Sequence, residues 1–402
     1  MHRQYLATCF VIAVSIASVM IALPVCEGKE DSPGFSVRKN EVSFTDGSAL
    51  LQGTVFLPEI KANVPGVVIL GGAERGPRNP YKEGMAAFFA SNGIAALIYD
   101  SPGTGRSTGN ALLQTKDDRV REAANALHFL CAQEGVNAKE VGIWGISEGA
   151  NIALLAAARE RSAAFAISIS SALGVSPVEI SRFRIEMTGH ELGLARDDIS
   201  RALVLEEILY ELFSGADMAE WRLVKMKTKS WPDEPWSELI DAVNNSRRAQ
   251  SPQERQEILE TLRRVMMPWK EELWFELAVV DVRRFSQIFT LDAARFFAFL
   301  EKNPWAQGDW NDHLRAMGDM ADLRCPVLAL WGEKDNFLPP QRSAATLKRL
   351  LVRGGQDLTV EIIPRASHTM TYSGSNDFAG GYTSLMVDWL KARFGIPSPG
   401  DE

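Results

Sequence analysis

The chain has 402 residues, 46% hydrophobic and 23% charged, with a net charge of −8 at neutral pH. That length suits two or three small domains or one elaborated domain with a large apolar core. The acidic balance, without a long basic run, argues against a nucleic-acid partner. The chain has no P-loop, His-Glu-x-x-His or paired-cysteine metal pattern, so no cofactor and no metal are expected.

Met1-His-Arg3-Gln is a short basic start, and residues 5–23 are almost wholly apolar up to Pro24. Residues 1–28 therefore read as a secretory signal or an uncleaved N-terminal anchor. Arg3 before the apolar run and Glu27, Glu30 and Asp31 after it orient the remainder outward. The expectation is an exported protein, periplasmic or extracellular, attached to the membrane where the segment is retained. Cys9 and Cys26 belong to this segment, leaving Cys131 and Cys325 as two buried free thiols or a disulfide.

Residues 35–44 and 49–57 alternate apolar and polar around Thr45-Asp-Gly47, predicting an opening antiparallel hairpin. Apolar runs at 66–70, 95–99, 141–144 and 164–169 then alternate with helical patterns near 81–92, 117–133 and 148–160. Strands at 326–331 and 358–363, with helices at 340–353 and 378–394, follow later, and 397–402 reads as a disordered tail. Strand–helix alternation of this kind predicts a mostly parallel, doubly wound α/β sheet flanked by helices. Residues 173–319 break the rhythm, with helical patterns and no convincing strand, so they are expected to be an inserted all-helical region. Seven of the ten tryptophans lie there, at 221, 231, 236, 269, 274, 305 and 310. They either roof an apolar pocket or pack as the insert's own core. The expected division is thus 29–172 and 320–402 for the core, with 173–319 inserted between its halves.

Gly145-Ile-Ser147-Glu-Gly149 lies between the strand at 141–144 and the helix that opens at 148. A serine between two glycines at such a strand-to-helix turn is a nucleophile elbow, in which the tight turn presents the hydroxyl at a helix N-terminus. Downstream, Asp335 follows the strand at 326–331 and His368 follows the strand at 358–363. All three residues stand just past the C-terminal ends of strands, where a parallel sheet exposes its functional groups. Glu333 competes with Asp335 for the acid role. Of the five histidines, at 2, 128, 190, 313 and 368, only His368 directly follows a strand. Asp100 is expected to fix its own loop through local hydrogen bonds.

The order Ser147, Asp335, His368 resembles that of the α/β-hydrolase superfamily, and the resemblance covers roughly residues 35–172 and 320–395. Asp100-Ser-Pro-Gly-Thr-Gly-Arg-Ser107 is similar to the Asp-x-x-Gly-x-Gly-x-Ser loop of many members. Gly71-Gly72-Ala73 after the strand at 66–70 resembles the oxyanion loop, with Leu70 where the family commonly carries histidine. Within the superfamily the chain looks most like bacterial serine esterases and the prolyl-oligopeptidase-like, acyltransferase and thioesterase branches. The resemblance implies an α/β-hydrolase sheet with residues 173–319 as a helical cap.

For catalysis it implies Ser147 as nucleophile, His368 as base and Asp335 as the acid that orients it. The oxyanion would be bound by the backbone N–H of Glu148 and one from Gly72 or Ala73. The Glu148 side chain reads first as structural and only second as a substrate contact. The expected activity is hydrolysis of a carboxylic ester of a small acyl substrate through an acyl-enzyme. A peptidase of the prolyl-oligopeptidase-like group, a thioesterase or acyltransferase, and an inactive hydrolase-fold binding protein remain as alternatives.

Overall fold

The computed structural model describes residues 34–111, 114–214, 221–278, 288–302, 317–351 and 356–396. The expected signal or anchor and the tail at 397–402 lie outside them. Contacts divide the chain into one unit of Met1–Gly174 with Arg315–Glu402, and a second of Val175–Leu314.

The first unit is built on eight strands: β1 (Val37–Asp46), β2 (Ala49–Pro58), β3 (Val64–Leu70), β4 (Ala95–Tyr99), β5 (Val136–Ile146), β6 (Ala166–Ile169), β7 (Val327–Gly332) and β8 (Leu358–Ile363). They form one sheet in the order β1-β2-β4-β3-β5-β6-β7-β8. β1 and β2 are an antiparallel hairpin in which Phe44 faces Leu51, and β2 joins β4 antiparallel. From β4 across to β8 every pairing is parallel. β3, β4, β6 and β7 are buried along their whole length, as expected of strands covered on both faces.

Alternation along a strand sends its side chains to two different cores. Val64, Val68 and Leu70 of β3 join one cluster, while Val67 and Ile69 join the other. The first cluster takes Val120 and Leu127 of a helix at Lys116–Cys131, Ile152 and Leu155 of a helix at Glu148–Arg159, and Leu347 of a helix at Pro340–Leu351. The second takes Met85 and Phe89 of a helix at Pro80–Ser91 and Met386 and Leu390 of a helix at Tyr382–Lys391. Helices thus cover both faces, and the sheet is doubly wound.

The second unit lies between β6 and β7 in the chain, and among its described residues its only regular elements are helices, from Pro177–Glu191 to Ala293–Lys302. Two of its helices open on capping boxes, Ser176 with Glu179 and Ser251 with Glu254, each followed by proline at the first helical position. The tryptophans settle as this unit's own core. Trp231, Trp236, Trp269 and Trp274 are all buried in it, with Trp236 stacked on Trp269 at 4.5 Å between ring centroids. They are therefore not free to line a pocket. The side chains of Trp221, Trp305 and Trp310 lie outside the described residues. Among the described residues no helix is long and apolar enough to cross a membrane.

Candidate active site

β5 runs straight into Ser147, and a helix begins at Glu148. Ser147 has φ 57° and ψ −122°, a left-handed conformation that a residue with a Cβ adopts only under strain. The flanking glycines show why the turn must be built this way. A Cβ on Gly145 would sit 2.1 Å from the Gly149 carbonyl oxygen, and one on Gly149 would sit 2.2 Å from the Gly71 oxygen. The elbow is folded against itself and against the loop after β3, leaving no room for a methyl group at either position.

Asp335 stands past the end of β7 and is 1% exposed. Its Oδ1 accepts the N–H groups of Phe337 at 2.9 Å and Leu338 at 2.8 Å. Its Oδ2 lies 2.8 Å from Nδ1 of His368, which stands past the end of β8. The Phe337 ring packs 5.1 Å from the imidazole. With Nδ1 engaged by the carboxylate, Nε2 is the ring nitrogen left for a reacting group.

The two halves of this arrangement are tied together by backbone. Ser147 N–H donates to the Ile169 carbonyl at 2.8 Å. The next residue, Ser170, donates through its N–H to Leu330 and through its hydroxyl to the His368 carbonyl at 2.9 Å. Ser170 itself has φ 49° and is fully buried. Ser147 Oγ makes no hydrogen bond among the described residues.

The competing residues have other employment. Glu333 Oε2 accepts the N–H of Arg365 at 2.9 Å. His128 pairs with Glu160 at 3.1 Å and is half-exposed, and His190 is exposed in the last turn of its helix. His2 and His313 lie outside the described residues. Asp100 accepts one N–H from its own loop, that of Arg106 at 3.1 Å, as the sequence suggests, and also joins that loop to a distant segment by accepting the N–H of Arg78 at 2.8 Å. Burial pushes the Asp100 carboxyl up, but the hydrogen bonds from Arg78 and Arg106 outweigh it and leave the pKa below the ordinary value. Cys131 and Cys325 are free thiols.

Gly72 abuts the elbow, since a Cβ placed on it would lie 3.4 Å from the Ser147 Cβ. The loop of Gly71, Gly72 and Ala73 is flanked by charged groups that periodicity does not flag. Arg119 Nη2 donates to the carbonyls of Gly71 at 3.1 Å and Gly72 at 3.3 Å, and its Nη1 lies 3.0 Å from Glu148 Oε2. Arg75 reaches the other Glu148 oxygen at 3.3 Å while donating to the carbonyls of Ala111 and Gln114. Lys82, nearly fully buried, donates to the Pro77 carbonyl at 3.2 Å, and burial lowers its pKa. The Glu148 side chain is thus held in ion pairs.

A cavity of about 700 Å³ lined in part by Ala157, Arg161, Asp322, Arg324 and Cys325 opens where β6 and β7 begin. That is the opposite end of the sheet from Ser147, so it does not serve the elbow.

Residues 65–374 match the family model described as the alpha/beta hydrolase fold. A polyketide transferase of Penicillium sp, grgF, is 29% identical over 184 residues, covering 44% of this chain and 58% of that protein. A thiohydrolase of Aspergillus aculeatus, aneE, is 30% identical over 154 residues, covering 37% of this chain and 44% of that protein. The matches thus span roughly half the length of these two relatives. The crystal structure of GrgF from Penicillium sp. sh18 superposes with a TM-score of 0.46 at 16% identity, covering 89% of this chain and 99% of that one. With more than half of its length matched by the family model, the chain belongs to the α/β-hydrolase fold family.

Proposed function

We propose that the protein is a serine hydrolase that cleaves a carboxylic ester through an acyl-enzyme. Ser147 Oγ attacks the carbonyl while His368 Nε2 takes its proton. Asp335 keeps the Nδ1 proton in place and stabilises the imidazolium. The resulting oxyanion receives hydrogen bonds from the N–H of Glu148 and from Gly72 or Ala73, each worth about 3–4 kcal/mol of barrier. The tetrahedral intermediate collapses as His368 returns the proton to the leaving alkoxide, and water repeats the sequence to free the acid. The observation that carries this reading is the Asp335–His368 hydrogen bond, on a histidine whose carbonyl accepts the hydroxyl of Ser170, the residue next to Ile169, the backbone partner of Ser147.

A second reading is thioester cleavage or acyl transfer. It is favoured by the names of the relatives, a polyketide transferase and a thiohydrolase. The same groups serve it, with a thiolate leaving or an alcohol or amine replacing water. Export belongs to this proposal too, and rests on the apolar run at residues 5–23. Amino-terminal sequencing of the protein from cells and medium tests it, and an intact Met1 on cytoplasmic protein would exclude it.

The test of the chemistry is mass spectrometry after exposure to a fluorophosphonate, with Ser147→Ala alongside, followed by turnover of activated esters and thioesters. One adduct on Ser147 and none on the variant is expected. A folded protein that takes no adduct and turns over neither substrate would leave the inactive binding protein as the reading.

A further inference from the structure

We propose that Arg119 is a positioning residue for the oxyanion hole, setting the direction of both candidate N–H donors on the loop after β3. This inference rests on the serine-hydrolase reading and deepens it. In a planar trans peptide the C=O and the following N–H point in opposite directions. The Gly71 carbonyl belongs to the same peptide as the Gly72 N–H, and the Gly72 carbonyl to the same peptide as the Ala73 N–H. One guanidinium nitrogen, Arg119 Nη2, holds both carbonyls, at 3.1 Å and 3.3 Å. Pinning those oxygens on the Arg119 side turns the Gly72 and Ala73 N–H groups away from it. Those are the two N–H groups that the proposed reaction draws on.

The same guanidinium reaches the side chain of the residue that carries the third donor. Its Nη1 lies 3.0 Å from a carboxylate oxygen of Glu148, the residue whose backbone N–H follows the nucleophile. Arg119 therefore braces the loop through its carbonyls and the start of the helix through an ion pair. Its planar fork makes this possible, because it presents several donors in a fixed relative geometry that an ammonium does not. Burial makes the brace rigid: Arg119 is 8% exposed, on a helix whose capping box at Thr115 and Asp118 fixes its first turn.

Two glycines make the loop dependent on such a brace. Glycine backbone is the most conformationally free of any residue, so Gly71-Gly72 does not hold its own orientation. A Cβ on Gly71 would meet Lys82 Cε at 2.7 Å and one on Gly72 would meet Glu74 Oε2 at 2.8 Å, the far ends of two flexible side chains, so the packing around the loop does not hold its backbone either. Arg119 supplies by hydrogen bonding the restraint that two successive glycines lack.

The experiment uses the full chain with a p-nitrophenyl ester, a trifluoromethyl ketone as tetrahedral mimic, and the fluorophosphonate. Arg119→Met is expected to lower kcat about 10²-fold, the scale of losing an oxyanion donor, with KM unchanged. Inhibition by the ketone should weaken by the same factor. Arg119→Lys, which keeps the charge but not the fork, should fall between Arg119→Met and wild type. A merely structural role would lower the melting temperature and leave the kcat of the folded protein and its ketone affinity at wild-type values, and that result overturns the inference. A rise in KM at constant kcat overturns it too. Where Arg119→Met does not fold, Arg119→Lys decides by the same two readouts. A wild-type protein that takes no phosphonate and turns over no ester refutes the serine-hydrolase reading itself, which separates that failure from this one.

Discussion

Asp335 divides its two carboxylate oxygens between two jobs: Oδ2 binds His368 Nδ1 at 2.8 Å, and Oδ1 accepts two backbone N–H groups from Phe337 and Leu338. The backbone bonds hold the carboxylate at one angle, and that angle fixes the imidazole. Replacement by Asn keeps the shape but offers an N–H₂ where the ring needs an acceptor, favouring the wrong tautomer. Asp335→Asn is expected to lower kcat by about 10⁴-fold, the scale seen when a triad carboxylate is so changed. Glu333→Gln, whose partner is the Arg365 N–H, should stay within a few fold of wild type. Steady-state kinetics on both variants checks this, and the reverse ranking would hand the acid role to Glu333.

Ser147 sits at φ 57°, and strain of this kind costs on the order of 1–3 kcal/mol for a residue with a Cβ. Both Ser147→Ala and Ser147→Gly should abolish turnover, because both remove the hydroxyl. They should differ in stability. Alanine keeps the Cβ and the strain, whereas glycine adopts this conformation without penalty. Urea denaturation of the two is expected to show the glycine variant the more stable by about 1 kcal/mol, the glycine's larger unfolded-state entropy offsetting part of the relief. An alanine variant as stable as the glycine variant would mean that the turn stores no strain.

The sheet, and the placement of Ser147, Asp335 and His368 past strand ends, were legible because each rests on a local pattern. Short apolar runs such as 66–70 and 95–99, bounded by glycine or turn residues, read as buried strands, and a glycine pair marks the turn at Ser147. Asp335 stands out by following such a run, and His368 by following a strand of mixed polar and apolar residues. Residue order also exposed the loop of Asp100, but of its carboxylate's hydrogen bonds only that from Arg106 is local, and the others come from Arg78, 22 residues earlier. Arg119, Arg75 and Ser170 were not legible. Arg119 lies on a helix of mixed charge where a basic residue reads as solvated, and its partners are carbonyls 47 and 48 residues away. Backbone oxygens carry no identity in a sequence, so no spacing rule finds such a contact. Ser170 is joined to a residue 198 positions later for the same reason. The tryptophans illustrate the opposite limit: composition located the aromatic cluster but left open whether it lined a pocket or packed a core.

Asp118 gives a pH-dependent prediction away from the chemistry. Hydrogen bonds from the Thr115 backbone and side chain, and then from Arg121, lower its pKa from 3.8 to about 2. The unfolded chain therefore binds more protons than the folded one between those values, and stability rises with pH across that window. The contribution is full above pH 4 and is lost as the pH falls through about 2. Asp118→Asn, which keeps an acceptor for the Thr115 N–H but removes the charge from the first helical turn and from Arg121, should destabilise at neutral pH by about 0.5–1 kcal/mol. Between pH 4 and 2 the gap to wild type should close. Thermal melts over that range check the sign, and a gap that widens on acidification would contradict it.

Gly145 offers the sharpest test of the elbow as packing rather than as chemistry. Its Cβ position lies 2.1 Å from the Gly149 oxygen, 2.4 Å from the Gly149 carbon and 2.8 Å from the Ala150 nitrogen, all backbone atoms that have no rotamer to change. Gly145→Ala must therefore displace the first turn of the helix from the end of β5. That shift carries Ser147 and the Glu148 N–H with it. Overpacking of this kind costs ~1–3 kcal/mol and occasionally more, and a backbone clash belongs at the upper end. The variant is expected to lose stability and nearly all turnover together. Gly47→Ala, in the β1–β2 turn with no atom within 4 Å of a Cβ, meets only the strain of its own φ of 57°. It should lose about 1 kcal/mol of stability and keep full activity. Parallel melts and ester kinetics separate the two, since only a clash at the elbow couples the loss of fold to the loss of rate.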